Sequence, residues 1–202
     1  MPDVKYRVYP TLLNEFGKYL NSPTQEAKRS LLNRINRVSD FDEETLKKFK
    51  KGISFEEAIV KNKSHNFDPK IIEEAQNLLP TIKILQVPLK FVFENIQFYG
   101  YADVVGEGRV IDIKTTSSYK PLKFQFNFQM LYLYALKDKG CLQMDYLIYD
   151  FQKIHVETYF LSTFNFNPML EQMTLFANFL EENRSLIKDR KIFLENDTKG
   201  LF

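Results

Sequence analysis

The segment that most constrains the fold is YGYADVVGEGRVIDIKTT, residues 99–116. It contains two runs of β-forming residues joined by residues 106–108, Gly-Glu-Gly, which favour a tight turn between antiparallel strands. Side chains alternate between the two faces of a strand, so Asp112 and Lys114 share one face. Antiparallel pairing across the turn brings Asp103 near Asp112. Two carboxylates and an ammonium group are therefore expected to meet on one face of a sheet.

Such a group of charges has a specific chemical use. Burying these charges is unfavourable unless they are paired or bind a cation. Mg²⁺ prefers oxygen ligands, and two aspartates can bind it while water molecules complete the octahedron. A lysine beside the cation can orient the attacking water or help to deprotonate it. The pattern predicts metal-assisted phosphodiester hydrolysis, with Asp103 and Asp112 as ligands of Mg²⁺ or Mn²⁺ and Lys114 as a catalytic residue.

The remaining patterns predict a layered α/β (α+β) domain. Residues 1–80 have helical periodicity, and residues 81–161 are rich in β-forming residues, with one helix predicted over 121–138. A long amphipathic helix is predicted over 167–190. Helices, three strands, a helix, two strands and a helix, in that order, predict a central mixed sheet flanked by helices. A chain of 202 residues is expected to form a single domain.

Two helix starts are predicted from proline positions. Ser22 is expected to cap a helix that Pro23 opens, because proline is favoured in the first helical turn. Pro121 is expected to open the helix that runs towards Gly140. The first strands, over residues 81–116, are predicted to form a three-stranded antiparallel meander.

Composition excludes several classes of protein. The single cysteine, Cys141, rules out a disulfide within the chain and a four-cysteine iron–sulfur cluster. The N-terminal MPDVKYRVYP lacks an apolar core, and no segment approaches ~20 uninterrupted apolar residues, so a soluble cytoplasmic protein without membrane contact is expected. The net charge of only +2 does not by itself indicate a nucleic-acid-binding protein.

The sequences GYAD and VIDIKT resemble motifs of the PD-(D/E)XK nuclease superfamily, specifically its RecB-like and phage-exonuclease branches. The resemblance covers about residues 50–160 and includes the order of secondary structure. It implies a restriction-endonuclease-like αβββαβ core, here with extra N-terminal helices. Because the four cysteines of the cluster-containing relatives are missing, the chain is similar to the cluster-free members.

The resemblance assigns roles to the acidic motif. Asp103 corresponds to the aspartate of the first motif, with Ala102 where proline often stands, and Asp112 corresponds to the second acid. Lys114 corresponds to the lysine of the D-x-K element. The main-chain carbonyl of Ile113 is implied as a further metal ligand.

Members of this branch also carry a glutamine and a tyrosine on the next helix. FQMLYLYAL supplies Gln129 and Tyr132, which lie about one helical turn apart on one face. The resemblance implies that Gln129 orients Lys114 or a substrate phosphate. Tyr134 is an alternative to Tyr132, because the spacing between the glutamine and the tyrosine varies.

An upstream helix is implied to supply a third metal ligand. KKGISFEEAIV matches its pattern at Gly52 and has Glu56 where a histidine would stand. In the alternative, Gly52 breaks the helix, Ser54 caps a new one in a capping box with Glu57, and Glu56 is a surface acid. Glu57 would then be the other candidate ligand. Gln86 stands where another acid is often found, and it is not predicted to bind the metal.

Basic residues near these motifs are candidates for phosphate contacts, although a solvated helix face would explain the upstream ones equally well. The candidates for nucleic-acid binding are Lys47, Lys48, Lys51, Lys120 and Lys123.

Taken together, the sequence predicts a Mg²⁺- or Mn²⁺-dependent deoxyribonuclease. The resemblance favours an exonuclease of phage or mobile-element recombination, with DNA as substrate and a recombination or single-strand-annealing protein as a candidate partner. The alternative is a catalytically silent protein of the same fold that binds nucleic acid or a protein.

Overall fold

The computed structural model describes residues 3–38, 41–64 and 66–194. His65, in a polar loop of the sequence, lies outside the described residues. The strands are β1 (Tyr6–Val8), β2 (Ile84–Phe93), β3 (Ile96–Gly106), β4 (Arg109–Thr115), β5 (Gln143–Tyr149) and β6 (Ile154–Phe160). The helices are α1 (Pro10–Asn21), α2 (Gln25–Ile35), α3 (Glu43–Lys61), α4 (Pro69–Asn77), α5 (Leu131–Leu136) and α6 (Asn167–Glu182).

The strands form a six-stranded mixed sheet in the order β1-β3-β4-β5-β6, with β2 also paired to β3. β3 and β4 are antiparallel, β4 and β5 are parallel, and β5 and β6 are antiparallel. The predicted fold class, a mixed sheet flanked by helices, is confirmed. The predicted αβββαβ order is found from α4 to β5. β1, which pairs parallel to β3, was not predicted.

The contacts of the chain divide it into two compact units. The first contains residues 1–40, 90–100 and 165–202. Its helices α1 and α6 pack through aromatic rings, with the Phe16 ring centroid 4.9 Å from that of Phe176. Phe16 and Phe176 are almost completely buried, so apolar burial holds this helix pair together.

The second unit contains residues 41–89 and 101–164. Here α3 and α4 cover one face of the sheet, where Phe55 of α3 packs in a buried cluster with Ile111 and Ile113 of β4. Because the β4 isoleucines point into this cluster, Asp112 and Lys114 point to the opposite face. The predicted division of side chains between the two faces of β4 is thus found.

The helix predicted over 121–138 is much shorter in the structure. Residues 121–126 form turns, and α5 covers only Leu131–Leu136 between short 3₁₀ turns. The backbone N–H groups of Lys123 and Phe124 donate to the Glu157 carboxylate at 3.1 and 3.3 Å. Glu157, on the distant strand β6, therefore accepts two backbone N–H groups near the start of the predicted helix. Pro121 does not open that helix.

Two other helix boundaries differ from the prediction. Thr24, rather than Ser22, caps α2 by accepting a hydrogen bond from the Ala27 N–H at 3.1 Å. Ser22 instead terminates α1, donating its backbone N–H to carbonyls of that helix. Helix α6 ends at Glu182, well before the predicted end at residue 190. Directly after it, the Asn183 side-chain amide donates a hydrogen bond to the Phe179 carbonyl.

Candidate active site

The turn between β3 and β4 has the geometry that its sequence predicts. Glu107 and Gly108 have φ angles of +50° and +74°, as expected for a two-residue hairpin turn. Gly106 has a different role, because a Cβ there would lie 2.2 Å from the Ile82 carbonyl oxygen. The glycine allows the segment before β2 to pass close to the hairpin.

The β3–β4 ladder opens at Asp103. The paired register runs from Gly106 and Arg109 to Val104 and Ile111, and one further step would set Asp103 opposite Asp112. Instead, the Asp103 side chain enters the ladder, and its Oδ2 accepts the Ile113 N–H at 2.8 Å. The strands therefore separate where the two aspartates lie, and Asp103 is fixed in the gap by a backbone amide of the other strand.

Asp112 is buried and has few donors. Only 3% of its surface is exposed, and the Lys114 ammonium is in direct contact with its Oδ2. This contact is an ion pair, since no described residue gives Oδ2 a hydrogen bond of regular geometry. Burial raises the pKa of the Asp112 carboxyl, and Lys114 offsets part of that rise.

Glu56, and not Glu57, lies with the aspartates. α3 continues through Gly52 to Lys61, so the alternative in which a new helix is capped by Ser54 is wrong. Glu57 forms ion pairs with the surface lysines Lys61 and Lys63 at 3.2 and 2.7 Å. Glu56 is partly buried and points towards Asp103, to which the Gln86 amide connects it.

The side chain of Gln86 joins Glu56 to Asp103. Its Nε2 donates to Glu56 Oε1 at 2.6 Å and to Asp103 Oδ1 at 3.4 Å. Gln86 has φ = +50°, which is uncommon for a residue other than glycine and is often found at functional sites. Sequence reasoning placed Gln86 outside the metal ligands, and nothing in the sequence signals its bridging position.

The three acids influence one another electrostatically. Burial, followed by the charges of Asp112 and Glu56, raises the pKa of Asp103 to about 8. Burial and then the Asp112 charge also raise the pKa of Glu56. Mutual repulsion among carboxylates raises their pKa values in this way when they share a poorly solvated space. Strongly perturbed acids of this kind are typical of catalytic and binding sites.

Tyr132 of α5 lies beside the acids. Burial, then the Asp112 and Asp103 charges, raise its pKa, and it shares a hydrogen bond with the Tyr101 backbone. Tyr134, the alternative, has the Lys137 ammonium 3.9 Å above its ring. Gln129 is buried in the 3₁₀ turn that precedes α5.

One aromatic neighbour of these acids, Tyr146, was not predicted from the sequence. Tyr146 pairs with Asp112 in the parallel β4–β5 register and is completely buried. Burial and then the Asp112 charge raise its pKa well above the ordinary value, while its hydroxyl donates to the Asn127 carbonyl at 3.4 Å. Its position in β5, where Leu147, Ile148 and Tyr149 follow it, gave no signal of this contact.

The five candidate lysines have different surroundings. Lys47 and Lys48 form exposed i,i+4 ion pairs with Glu43 and Glu44 at 3.7 and 2.7 Å, as on a solvated helix face. The Lys51 ammonium lies 3.7 Å from the centroid of the Phe151 ring.

The remaining two lysines lie in the loop after β4. Lys123 Nζ donates to Thr116 Oγ1 at 2.5 Å and to the Ser118 carbonyl, so it is engaged within this loop. Lys120 is exposed.

The donors suit a hard divalent cation only in part. Asp103, Asp112 and the Ile113 carbonyl offer oxygen ligands, and the buried Asp112 Oδ2 is short of donors. Glu56 is engaged by Gln86. Across residues 3–38, 41–64 and 66–194, no three His, Cys, Asp or Glu side chains are arranged as a group that could hold a metal. The fit therefore rests on the two aspartates.

Comparison with known proteins gives little further information. No family model matches the chain, and no curated protein matches it. The solved structure of the protein SSO0001 is similar at 12% identity with a TM-score of 0.44, over 88% of this chain and 77% of that one. A candidate exonuclease from Eubacterium rectale is similar at 12% identity with a TM-score of 0.33, over 89% and 67%. Both TM-scores are too low to support an argument about function. Among the described helices, none combines the length and hydropathy needed to cross a membrane.

Proposed function

We propose that the protein is a Mg²⁺- or Mn²⁺-dependent nuclease that hydrolyses phosphodiester bonds in DNA. The observation that carries the proposal is the opening between β3 and β4, where Asp103 and Asp112 converge with too few donors. Both carboxyl groups have raised pKa values, which a bound cation would lower again. Lys114 supplies the accompanying positive charge on the same strand.

Each side chain has a role in this proposal. Asp103 and Asp112, with the Ile113 carbonyl, would hold the cation, whose chemistry is to polarise the phosphoryl group and to activate water. Lys114 positions the hydrolytic water and stabilises charge that develops on the phosphate. Gln129 orients Lys114 or a substrate phosphate.

Glu56 is proposed as the third ligand. It reaches this role only when the Gln86 amide turns away, because Gln86 now donates to Glu56 and Asp103 together. Tyr132, whose pKa is raised by burial and then by the Asp112 and Asp103 charges, stays protonated and therefore carries a hydroxyl donor near the acids.

The resemblance to the phage-exonuclease branch supports a more specific role. We propose that the enzyme is an exonuclease that processes DNA in recombination of phages or mobile elements, in the cytoplasm. A recombination or single-strand-annealing protein would be its partner.

The deciding experiment is a digestion panel. Linear, circular, single-stranded and double-stranded DNA are incubated with wild type and with Asp112→Asn in Mg²⁺, Mn²⁺ or EDTA. The expected result is metal-dependent degradation of linear DNA by wild type and by the exposed-acid control Asp138→Asn, but not by Asp112→Asn. Equal degradation by Asp112→Asn would overturn the proposal.

A catalytically silent nucleic-acid-binding protein is the second candidate. The Gln86 amide favours it, because this amide donates hydrogen bonds to both Glu56 and Asp103 and so occupies oxygens that a cation would need. For this candidate, wild type binds DNA in EDTA but degrades none of the panel in either metal. In addition, Mn²⁺ does not raise its melting temperature.

A further inference from the structure

A second concave surface lies in the same unit, on the α3 side of the sheet. It is an open cleft of about 680 Å³ next to the N-terminal half of α3. Its lining combines basic, hydroxyl and aromatic side chains, chiefly Lys50, Lys51, Ser54, Phe67, Tyr149 and Phe151. None of the metal-ligand candidates lines it, so its chemistry is separate from theirs.

The cleft has a net positive lining. Lys50 and Lys51 are exposed, and neither forms an ion pair with a described acid. By contrast, Lys47 and Lys48, one turn earlier on α3, are paired with Glu43 and Glu44. Asp68 is the acid of the lining, and its Oδ1 caps α4 by accepting the Lys70 N–H at 2.9 Å. Lys50, and Lys51 beside the Phe151 ring, therefore carry the positive charge that a ligand meets.

The aromatic side of the cleft is held rigidly. The Tyr149 ring stacks on Phe55 of the core with centroids 4.7 Å apart, and Phe151 packs edge-on against Tyr149 at 5.4 Å. Phe151 has φ = +72°, a strained conformation for a bulky residue. The Asp150 carboxylate stabilises this turn by accepting the N–H groups of Gln152 and Lys153. The packing against Tyr149 and the hydrogen bonds to Asp150 hold the Phe151 ring beside Lys51 at the cleft in spite of this strain.

The cleft begins next to the candidate active site. Tyr149 pairs with Thr115 in the β4–β5 register, one residue beyond Lys114, and the Thr116 N–H donates to the Tyr149 carbonyl at 3.0 Å. On α3, Ser54 is two residues before Glu56. Because Lys114 points to the opposite face of the sheet, a polymer that passes from Lys114 to the cleft has to cross the end of β4 at Thr115 and Thr116.

We propose that this cleft binds a single-stranded segment of nucleic acid, with its phosphates on Lys50 and Lys51 and a base against the Phe151 ring. The inference deepens the proposed nuclease function by assigning the form of nucleic acid that is held next to the site. Lysines neutralise phosphates, and aromatic rings stack with unpaired bases whatever their identity. Bases in a duplex are stacked inside the helix and do not present their faces to Phe151, so single strands are expected to bind more tightly.

The test measures binding without hydrolysis. Fluorescence anisotropy of a labelled oligothymidine is recorded with full-length protein in EDTA, across a series of salt concentrations. Lys50→Ala combined with Lys51→Ala should weaken binding by about tenfold or more and reduce the salt slope by roughly 1.4, about 0.7 for each phosphate contact on a single strand. Phe151→Leu should weaken binding by about fivefold while the salt slope stays unchanged.

A matched control lies on the same helix. Lys47→Ala combined with Lys48→Ala removes the same charge one turn away, and it should change affinity by less than about twofold because neither lysine lines the cleft. Equal losses for the two double variants would overturn the cleft proposal, since the effect would then come from general charge. Wild-type affinity for a duplex that equals or exceeds its affinity for oligothymidine would overturn it as well.

The assay separates this inference from the nuclease proposal. Binding in EDTA that depends on Lys50 and Lys51, together with no degradation in Mg²⁺ or Mn²⁺, would support the cleft and contradict the nuclease. Metal-dependent degradation with oligothymidine affinity unchanged in both cleft variants would support the nuclease and contradict the cleft. Melting temperatures of all variants confirm that the exposed lysine changes leave the fold intact.

Discussion

Two groups of buried carboxylates lie on neighbouring strands of the second unit, and they differ in their donors. Asp145 of β5 and Glu157 of β6 are 4% and 6% exposed, as closed to water as Asp112. Asp145 accepts hydrogen bonds from Gln143 and Thr158 at 2.7–3.0 Å, and Arg109 lies 3.4 Å away. These donors satisfy its oxygens within the fold.

Glu157 is satisfied in a similar way. It accepts the N–H groups of Lys123 and Phe124 and the Tyr159 hydroxyl, the last at 2.9 Å. In the candidate active site, Asp103 accepts the Ile113 N–H and shares the Gln86 amide with Glu56, and no described residue gives Asp112 Oδ2 a hydrogen bond of regular geometry beside its Lys114 ion pair.

The difference shows how to distinguish structural from functional buried acids. A buried carboxylate with enough donors stabilises the fold at its position, whereas a cluster short of donors gains stability only from an added cation or from protonation. Burial alone does not separate the two groups, because Asp112, Asp145 and Glu157 are buried to the same extent.

The largest expected effect is on catalysis. Asp112→Asn should reduce the metal-dependent nuclease rate by about a thousandfold, because the side chain loses the charge that holds the cation. Asp145→Asn, on the adjacent strand, should lower stability while retaining most of the rate per folded molecule. Initial rates on linear DNA, normalised to the folded fraction, compare the two variants. A similar rate loss in both would remove the distinction between the two groups.

The next effect concerns stability. Glu157→Ala leaves the N–H groups of Lys123 and Phe124 without their acceptor, and it should lower the free energy of unfolding by about 3 kcal/mol. Urea denaturation followed by circular dichroism measures the change, with the exposed Glu182→Ala as control. A loss no greater than that of the control would show that Glu157 does not stabilise the turn before α5.

A gain in stability is expected from Asp103→Asn in EDTA. The folded pKa of about 8 lies above the ordinary aspartate pKa of 3.8, so wild type loses stability as pH rises from about 4 to about 8. Asparagine does not titrate there and can still accept the Ile113 N–H through its amide oxygen.

At pH 8 the variant should therefore be more stable by on the order of 2 kcal/mol, less than the full shift because the three acids titrate together. At pH 4 the difference should nearly vanish. Melting curves at both pH values test the sign. A variant that is less stable than wild type at pH 8 would contradict the proposed shortage of donors.

The smallest effect is predicted for Gln86→Glu. It replaces a donor between Glu56 and Asp103 with another carboxylate, so the metal-free protein should lose about 1 kcal/mol of stability at pH 8. The added oxygen ligand should strengthen Mn²⁺ binding by about tenfold.

Calorimetric titration with Mn²⁺ measures the affinity, with the exposed Gln152→Glu as control. If Mn²⁺ affinity does not change in Gln86→Glu, Gln86 does not lie at the cation site.

Local patterns were sufficient to predict the centre of the candidate site. The period of two along a strand sets Asp112 and Lys114 on one face, and the Gly108 turn joins their strand to that of Asp103. The mixed sheet flanked by helices also followed from the order of the elements. These predictions succeeded because each depends on residues that are close in sequence.

Features that depend on distant residues could not be predicted. The bridge from Gln86 to Glu56 joins residues 30 positions apart, and the contact of Glu157 with residues 123–124 spans more than 30. The Glu157 contact lies where a helix was predicted and residues 121–126 instead form turns. The sequence by itself determined which acids are near one another on the hairpin. Only the tertiary structure decided which acids receive donors, because hydrogen bonds between distant segments form when the strands and helices pack.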